Sequence, residues 1–176
     1  MRRAILVFVA VLMVGSVSFA GEPLKVGDKA PDFAFEDADG KVFTNKTWAG
    51  KVLLVNYVDP DESDLNEHFT DAMKKASNEG LLTKADYKGI GIVDCAATWK
   101  PDFLIRQIAG DKAKKYETII IFDYDAVMRE SWGLKEDTAN AILLDKQGIV
   151  QYINMGRVPD EEVDKVVQLA IDLQTK

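Results

Sequence analysis

The sequence holds one thiol, Cys95, and one imidazole, His68, and these two residues bound the chemistry open to the chain. Cys95 follows the apolar run Ile90 to Val93. A lone cysteine becomes a nucleophile only when positive charge or a helix N-terminus stabilises its thiolate. Here the adjacent residue is Asp94, which acts in the opposite sense. The expectation is a covered, inert thiol, with a redox or adduct-forming thiol as the alternative. His68 has no cysteine or histidine at ligand spacing, so a zinc site has no support and a half-exposed helix surface is expected. Asp59, Asp61, Glu62, Asp64 and Glu67 could gather oxygen ligands for calcium. Their spacing partly matches an EF-hand loop, but the central glycine is missing and the closing position is Thr70. Helix capping accounts for the same acids: Asp59 as N-cap, Pro60 as first helical residue and Glu62 as reciprocal partner. No metal and no cofactor are therefore expected. Trp99 stands in the loop after Cys95 and, if exposed, is the best aromatic anchor for a partner. The sequence has no Ser-His-Asp set, phosphate-cradling glycine loop or basic aromatic patch.

These residues must be positioned by strands and helices that the apolar pattern sets out. Val52 to Val58 has the length and β-branched content of a strand buried on both faces. It ends at Asp59-Pro60, where a helix is expected to begin at once, with Leu65, Phe69, Ala72, Met73 and Ala76 on one face and Gly80 as its stop. A second strand is expected over Gly89 to Asp94 or Cys95, then a helix from Pro101 to near Gly110. Asp111 to Lys115 reads as a surface loop or frayed turn. Thr118 to Phe122 is a third buried strand, and Asp125 to Trp132 a short helix closed by Gly133. Asp39-Gly40 and Asp145-Lys146-Gln147-Gly148 mark hairpins at either end of this series, and Pro159 opens a last helix. Trp48 and Trp132 are expected in or near the core. Strands alternating with helices imply parallel pairing and right-handed crossovers. The fold class is α/β: a central, mostly parallel sheet with an antiparallel terminal hairpin edge, helices on both faces and an N-terminal β-hairpin extension.

The first residues add an address. Met1-Arg2-Arg3 is basic, Ala4 to Val14 is apolar, and Ser18-Phe19-Ala20 is a small-residue site. That is the three-part pattern of a secretory signal peptide over residues 1–20, leaving a domain over residues 21–176. The apolar run falls short of the roughly 20 residues needed to span a bilayer. The expected location is periplasmic or secreted. Removing residues 1–20 takes away Arg2 and Arg3 and no acid, so the net charge moves from −7 to −9. Such a surface argues against nucleic acid and, after cleavage, against a membrane as partner.

Several stretches together resemble the thioredoxin-like superfamily, in its alkyl hydroperoxide reductase and thiol-specific antioxidant branch. They are Val26 to Phe33, Gly50 to Tyr57, Trp132-Gly133-Leu134 and Ile142 to Val150. Tyr87 to Asp94, Thr118 to Asp123 and Asn140 to Gly156 are most similar to the YtfJ-type family of exported bacterial proteins of unassigned function. The resemblance implies that the Cys-x-x-Cys pair or peroxidatic cysteine would fall at Glu62 and Leu65, and the cis-proline at Ala139. None of these residues can supply the family's chemistry, and Ala139 is expected in a trans bond. The resemblance thus implies a thioredoxin-like domain that serves as a non-catalytic binding or accessory module of the cell envelope. Its partner would be a protein or small molecule. Asp59, Glu62, Cys95 and Trp99 are candidates for the binding edge, where such sheets present their strand ends. The alternative is a single-cysteine thiol redox enzyme or sensor using Cys95.

Overall fold

The computed structural model describes residues 22–175; the expected leader lies outside them. Seven strands form one mixed sheet in the order β2-β1-β5-β4-β3-β6-β7. They are β1 (Ala34–Glu36), β2 (Val42–Thr44), β3 (Val52–Val58), β4 (Tyr87–Asp94), β5 (Ile119–Asp123), β6 (Ala139–Leu144) and β7 (Val150–Met155). The helices are α1 (Glu67–Asn78), α2 (Asp102–Tyr116), α3 (Val127–Trp132) and α4 (Asp160–Gln174). Parallel pairing is confined to the centre, β3 with β4 and β4 with β5; β6 and β7 add the antiparallel hairpin edge, and β1–β2 extends the sheet on the other side of β5.

β3 alternates between two packed faces. Leu53, Val55 and Tyr57 join Ile90, Ile92, Trp132 and the aromatic residues Phe33, Phe43 and Trp48 on the side of α3 and the N-terminal hairpin. Val52 and Leu54 turn the other way, onto Phe69 and Met73 of α1 and Val166 and Ala170 of α4. α2 covers β5 on that second face through Ile105, Ala109 and Phe122. The crossovers from β3 to β4 and from β4 to β5 advance in one direction across the sheet, which places α1 and α2 on the same side. The outer edge of β7 is partly covered: Gly27 N–H donates to Val150 O at 2.9 Å, Val150 N–H to Asp28 O at 2.9 Å and Ala30 N–H to Gly148 O at 3.0 Å.

Four sequence expectations are corrected. α1 does not begin at Pro60; Pro60–Glu62 is a single 3-10 turn, and α1 starts at Glu67. The reciprocal cap fails with it, because Glu62 takes part through its backbone N–H, donated to Asp59 O at 3.0 Å. β4 begins at Tyr87 rather than Gly89, pairing in register with Val52 of β3; of the two expected ends Asp94 is the one observed, and Cys95 opens a 3-10 turn. α2 runs through Gly110 to Tyr116. Gly110 has open space around it, and Lys112, Lys115 and Tyr116 tie the supposed loop to Asp64 and Glu67, beside and on α1.

Candidate functional site

The C-terminal ends of β3, β4 and β5 each deliver one carboxyl to the same edge: Asp59 just beyond β3, Asp94 at the end of β4 and Asp123 at the end of β5. All three are buried. The chain places them there because parallel strands joined by crossovers align their ends.

Each carboxyl has a different environment. Asp123 accepts from the Tyr57 hydroxyl at 3.1 Å and from the first N–H groups of α3, Val127 at 2.9 Å and Met128 at 2.8 Å. It therefore satisfies the helix end and locks the tyrosine, whose own ionisation is pushed up by burial and by the nearby carboxyls. Asp94 meets Arg129 at 2.6 Å, and Arg129 also reaches Glu136 at 2.9 Å. The second Asp94 oxygen has no partner. Burial raises the Asp94 pKa against the pull of Arg129. Asp59, 4% exposed, accepts from Asp61 N–H at 2.7 Å and so caps the 3-10 turn. Burial lifts its carboxyl to about 6, helped by Asp137, Asp94 and Glu62 and opposed by Lys100.

The residues proposed for this edge separate into two groups. Asp59, Glu62 and Ala139 lie together: Asp59 N–H donates to Thr138 O at 3.0 Å, and Ala139 faces Val58 in the β3–β6 ladder. Leu65 follows in the turn, its N–H donating to Glu62 O at 3.0 Å. No cis peptide bond occurs among the described residues. Cys95 belongs to the other group. It is 8% exposed, packs with Ile105, Ala109 and Phe122, and feels Asp102, Asp94, Asp123 and Arg106 rather than Asp59 or Glu62. Burial, reinforced by those acids, pushes its thiol up to about 12. Activated thiols lie in a range of about 3.5–7.5.

Trp99 is the reverse case, at 89% exposed. Its neighbours on both sides are anchored to the 3-10 turn: the Thr98 hydroxyl donates to Asp61 at 2.7 Å, and Lys100 pairs with the same carboxylate. The indole is thus held outward by a loop that is itself tethered. Phe103, 70% exposed, follows on the first turn of α2. The other acids after β3 are engaged too, Asp64 with Lys112 and Glu67 with Lys115 and the Tyr116 hydroxyl. His68 is half-buried, its Nε2 2.9 Å from Val158 O and 3.5 Å from Asp160. Sequence reasoning did not find the Tyr57–Asp123 and Asp94–Arg129 pairs; the only signal was a polar residue at the same terminal position of successive strands.

A seven-stranded sheet with its parallel centre, its crossovers and this edge defines the thioredoxin-like fold. The thioredoxin domain of a thiol-disulfide oxidoreductase from Bacteroides vulgatus superposes with a TM-score of 0.64 at 17% identity, covering 84% of this chain and 99% of that one. A thiol peroxidase from Chromobacterium violaceum gives 0.61 at 14% identity, covering 86% and 90%. At those identities the likeness speaks for the fold alone. Residues 27–173 match the family described as "Bacterial protein of unknown function (YtfJ_HI0045)", and the chain belongs to that family. The uncharacterized protein YtfJ of Escherichia coli strain K12 is 26% identical over 159 residues, 82% of this chain and 84% of that protein.

Proposed function

We propose that this chain is an exported, non-catalytic binding module of the cell envelope, and that its thiol-free edge docks a protein partner through Trp99. The observation that carries this reading is the exposed indole, fixed by two bonds from its flanking residues to Asp61. An aromatic residue whose loop is already ordered loses little freedom on binding, which is what makes a good anchor. The thiol chemistry of the fold has no residue to run on at this edge. Glu62 and Leu65 stand at the positions that the resemblance gives to cysteine, and Cys95 is covered. Export is supported by the leader pattern of residues 1–20.

The test is site-specific photocrosslinking in the native bacterium. A benzophenone amino acid at position 99 should give a discrete adduct in the fraction released by osmotic shock. The same probe at Leu81, exposed elsewhere on the molecule, should not. The mass of the released protein should lack residues 1–20. Identical adduct patterns from both positions, or retention of the protein in the cytoplasm, would remove this reading.

A further inference from the structure

α1 and α2 share one face of the sheet but do not close over it. α1 leans on α4 and α2 on β5, which leaves a hollow of about 190 Å³ above β3, β4 and β5. Leu54, Met73, Ile105 and Ile108 are among its walls. Its floor includes Gly89 and Gly91 of β4. A Cβ at Gly91 would meet Ile120 Cγ1 at 3.2 Å, and one at Gly89 the Tyr87 hydroxyl oxygen at 3.2 Å. The Tyr87 and Ile120 side chains thus close over the two glycines and leave no space there for a larger residue. Glycine in a strand interior weakens the strand and marks a place where something approaches the backbone closely.

The second feature is Asn56, an amide in the middle of the apolar central strand, facing the same hollow. Its neighbours across the sheet are Gly91 and Ala141, too short to reach it. Its side chain makes no hydrogen bond among the described residues. Asn66 and Asn140, by contrast, are each bonded through both ends of the amide. Asn56 is half-buried, so its amide is free for water or for a polar group of an entering ligand. The rim charges are already neutralised, Lys74 by Glu117 at 3.4 Å and Lys112 by Asp64. Those surface pairs give way easily.

We propose that this hollow binds a small neutral aromatic molecule bearing one hydrogen-bonding group, of the size and chemistry of a phenol. The ring lies above Gly91, between the Tyr87 and Ile120 side chains and beside the Met73 thioether, and its polar group bonds to Asn56. An apolar cavity of about 150 Å³ accommodates benzene, so the volume here admits one ring with a small substituent. Sulfur–ring contact adds to the fit, and a single polar group in an apolar pocket sets the orientation. The site is separate from the surface that carries Trp99 and does not depend on it.

The purified, ¹⁵N-labelled protein titrated with phenol and, separately, with toluene tests this. Phenol should shift the Gly89 and Gly91 amide signals and the Asn56 side-chain pair saturably, binding about two- to tenfold tighter than toluene, the range that one hydrogen bond gives. Gly91→Leu should abolish these shifts, and the milder Gly91→Ala should weaken them. Asn56→Leu should keep toluene binding and bring phenol down to the same level. Unsaturable shifts, shifts elsewhere only, or unchanged binding in Gly91→Ala and Asn56→Leu would overturn the assignment.

Discussion

The stability of this protein should rise on mild acidification, with Asp59 as the cause. Its carboxyl is buried, and its pKa is lifted from an ordinary 3.8 to about 6 by burial and by Asp137, Asp94 and Glu62. A carboxyl shifted upward binds its proton more tightly in the folded state. Its ionised form therefore withholds stability above pH 6, and that stability returns as the pH falls toward 3.8. The full effect is about 3 kcal/mol, and about half of it is recovered between pH 7.5 and pH 5. For a domain of this size that raises Tm by about 3–6 °C. Asp94 shifts in the same direction. The exposed acids held below their usual range, Asp32, Glu67, Asp86 and Asp160, act in the opposite sense only at lower pH. Asp59→Asn keeps an oxygen to accept from Asp61 N–H and removes the charge. It should be more stable than the parent at pH 7.5, by up to about 3 kcal/mol, and should lose most of the slope between pH 7.5 and 5. Chemical denaturation at each pH, with Tm alongside, measures this. A parent whose stability is flat or falling over that interval, or an Asp59→Asn protein with the parent's slope, refutes the reasoning.

Three further outcomes are expected. Cys95 should react slowly with a thiol reagent in the native state and fast in denaturant, with no disulfide-linked dimer on a non-reducing gel; rapid native labelling with a midpoint below about pH 7.5 would restore the redox reading. Insulin reduction with dithiothreitol should stay at background for the parent and for Cys95→Ser alike, and turnover surviving that substitution would place catalysis elsewhere. Arg129→Met should destabilise the fold by about 3–5 kcal/mol, because it strands the buried Asp94 carboxylate. Adding Asp94→Asn should recover a large share of that loss in a double-mutant cycle, and purely additive losses would show that the pair is not coupled.

What the sequence disclosed followed the strength of its local signals. The run Val52 to Val58 could be placed because a strand packed on both faces needs apolar side chains throughout. The turn after it was misread because Asp59, Pro60 and Glu62 fit a helix start equally well whether one turn follows or three. What decides is the tether from Thr98 and Lys100 back to Asp61, a contact across the fold. Gly110 read as a helix end because an interior glycine costs about 1 kcal/mol. The links from Lys115 and Tyr116 to Glu67 offset that cost, and they too are tertiary. Of the edge, the sequence placed Asp59 at the strand end and Trp99 in the following loop, with its exposure left open, but misjudged the company of Cys95. A residue one step past the strand turns into the packing under α2, and the alternation of the strand does not say so. Asn56 and the pair Gly89 and Gly91 were in plain view as exceptions inside apolar strands, yet their alignment depends on the β3–β4 register.

The short pairing of Gly27 to Ala30 with Gly148 to Val150 bears on how the protein ages. β7 is an end strand, and an uncovered strand end is where copies of a protein add to one another. Its first residues are masked only by this N-terminal segment, held by a few backbone bonds and by Lys29 donating to Gln147 O. A peptidase that nibbles past Ala30 would take Leu24 and Ala30 out of the main core as well as uncover that edge. Trimmed molecules would be both less stable and open to edge-to-edge pairing, so residues 22–30 guard the fold against unfolding and aggregation together.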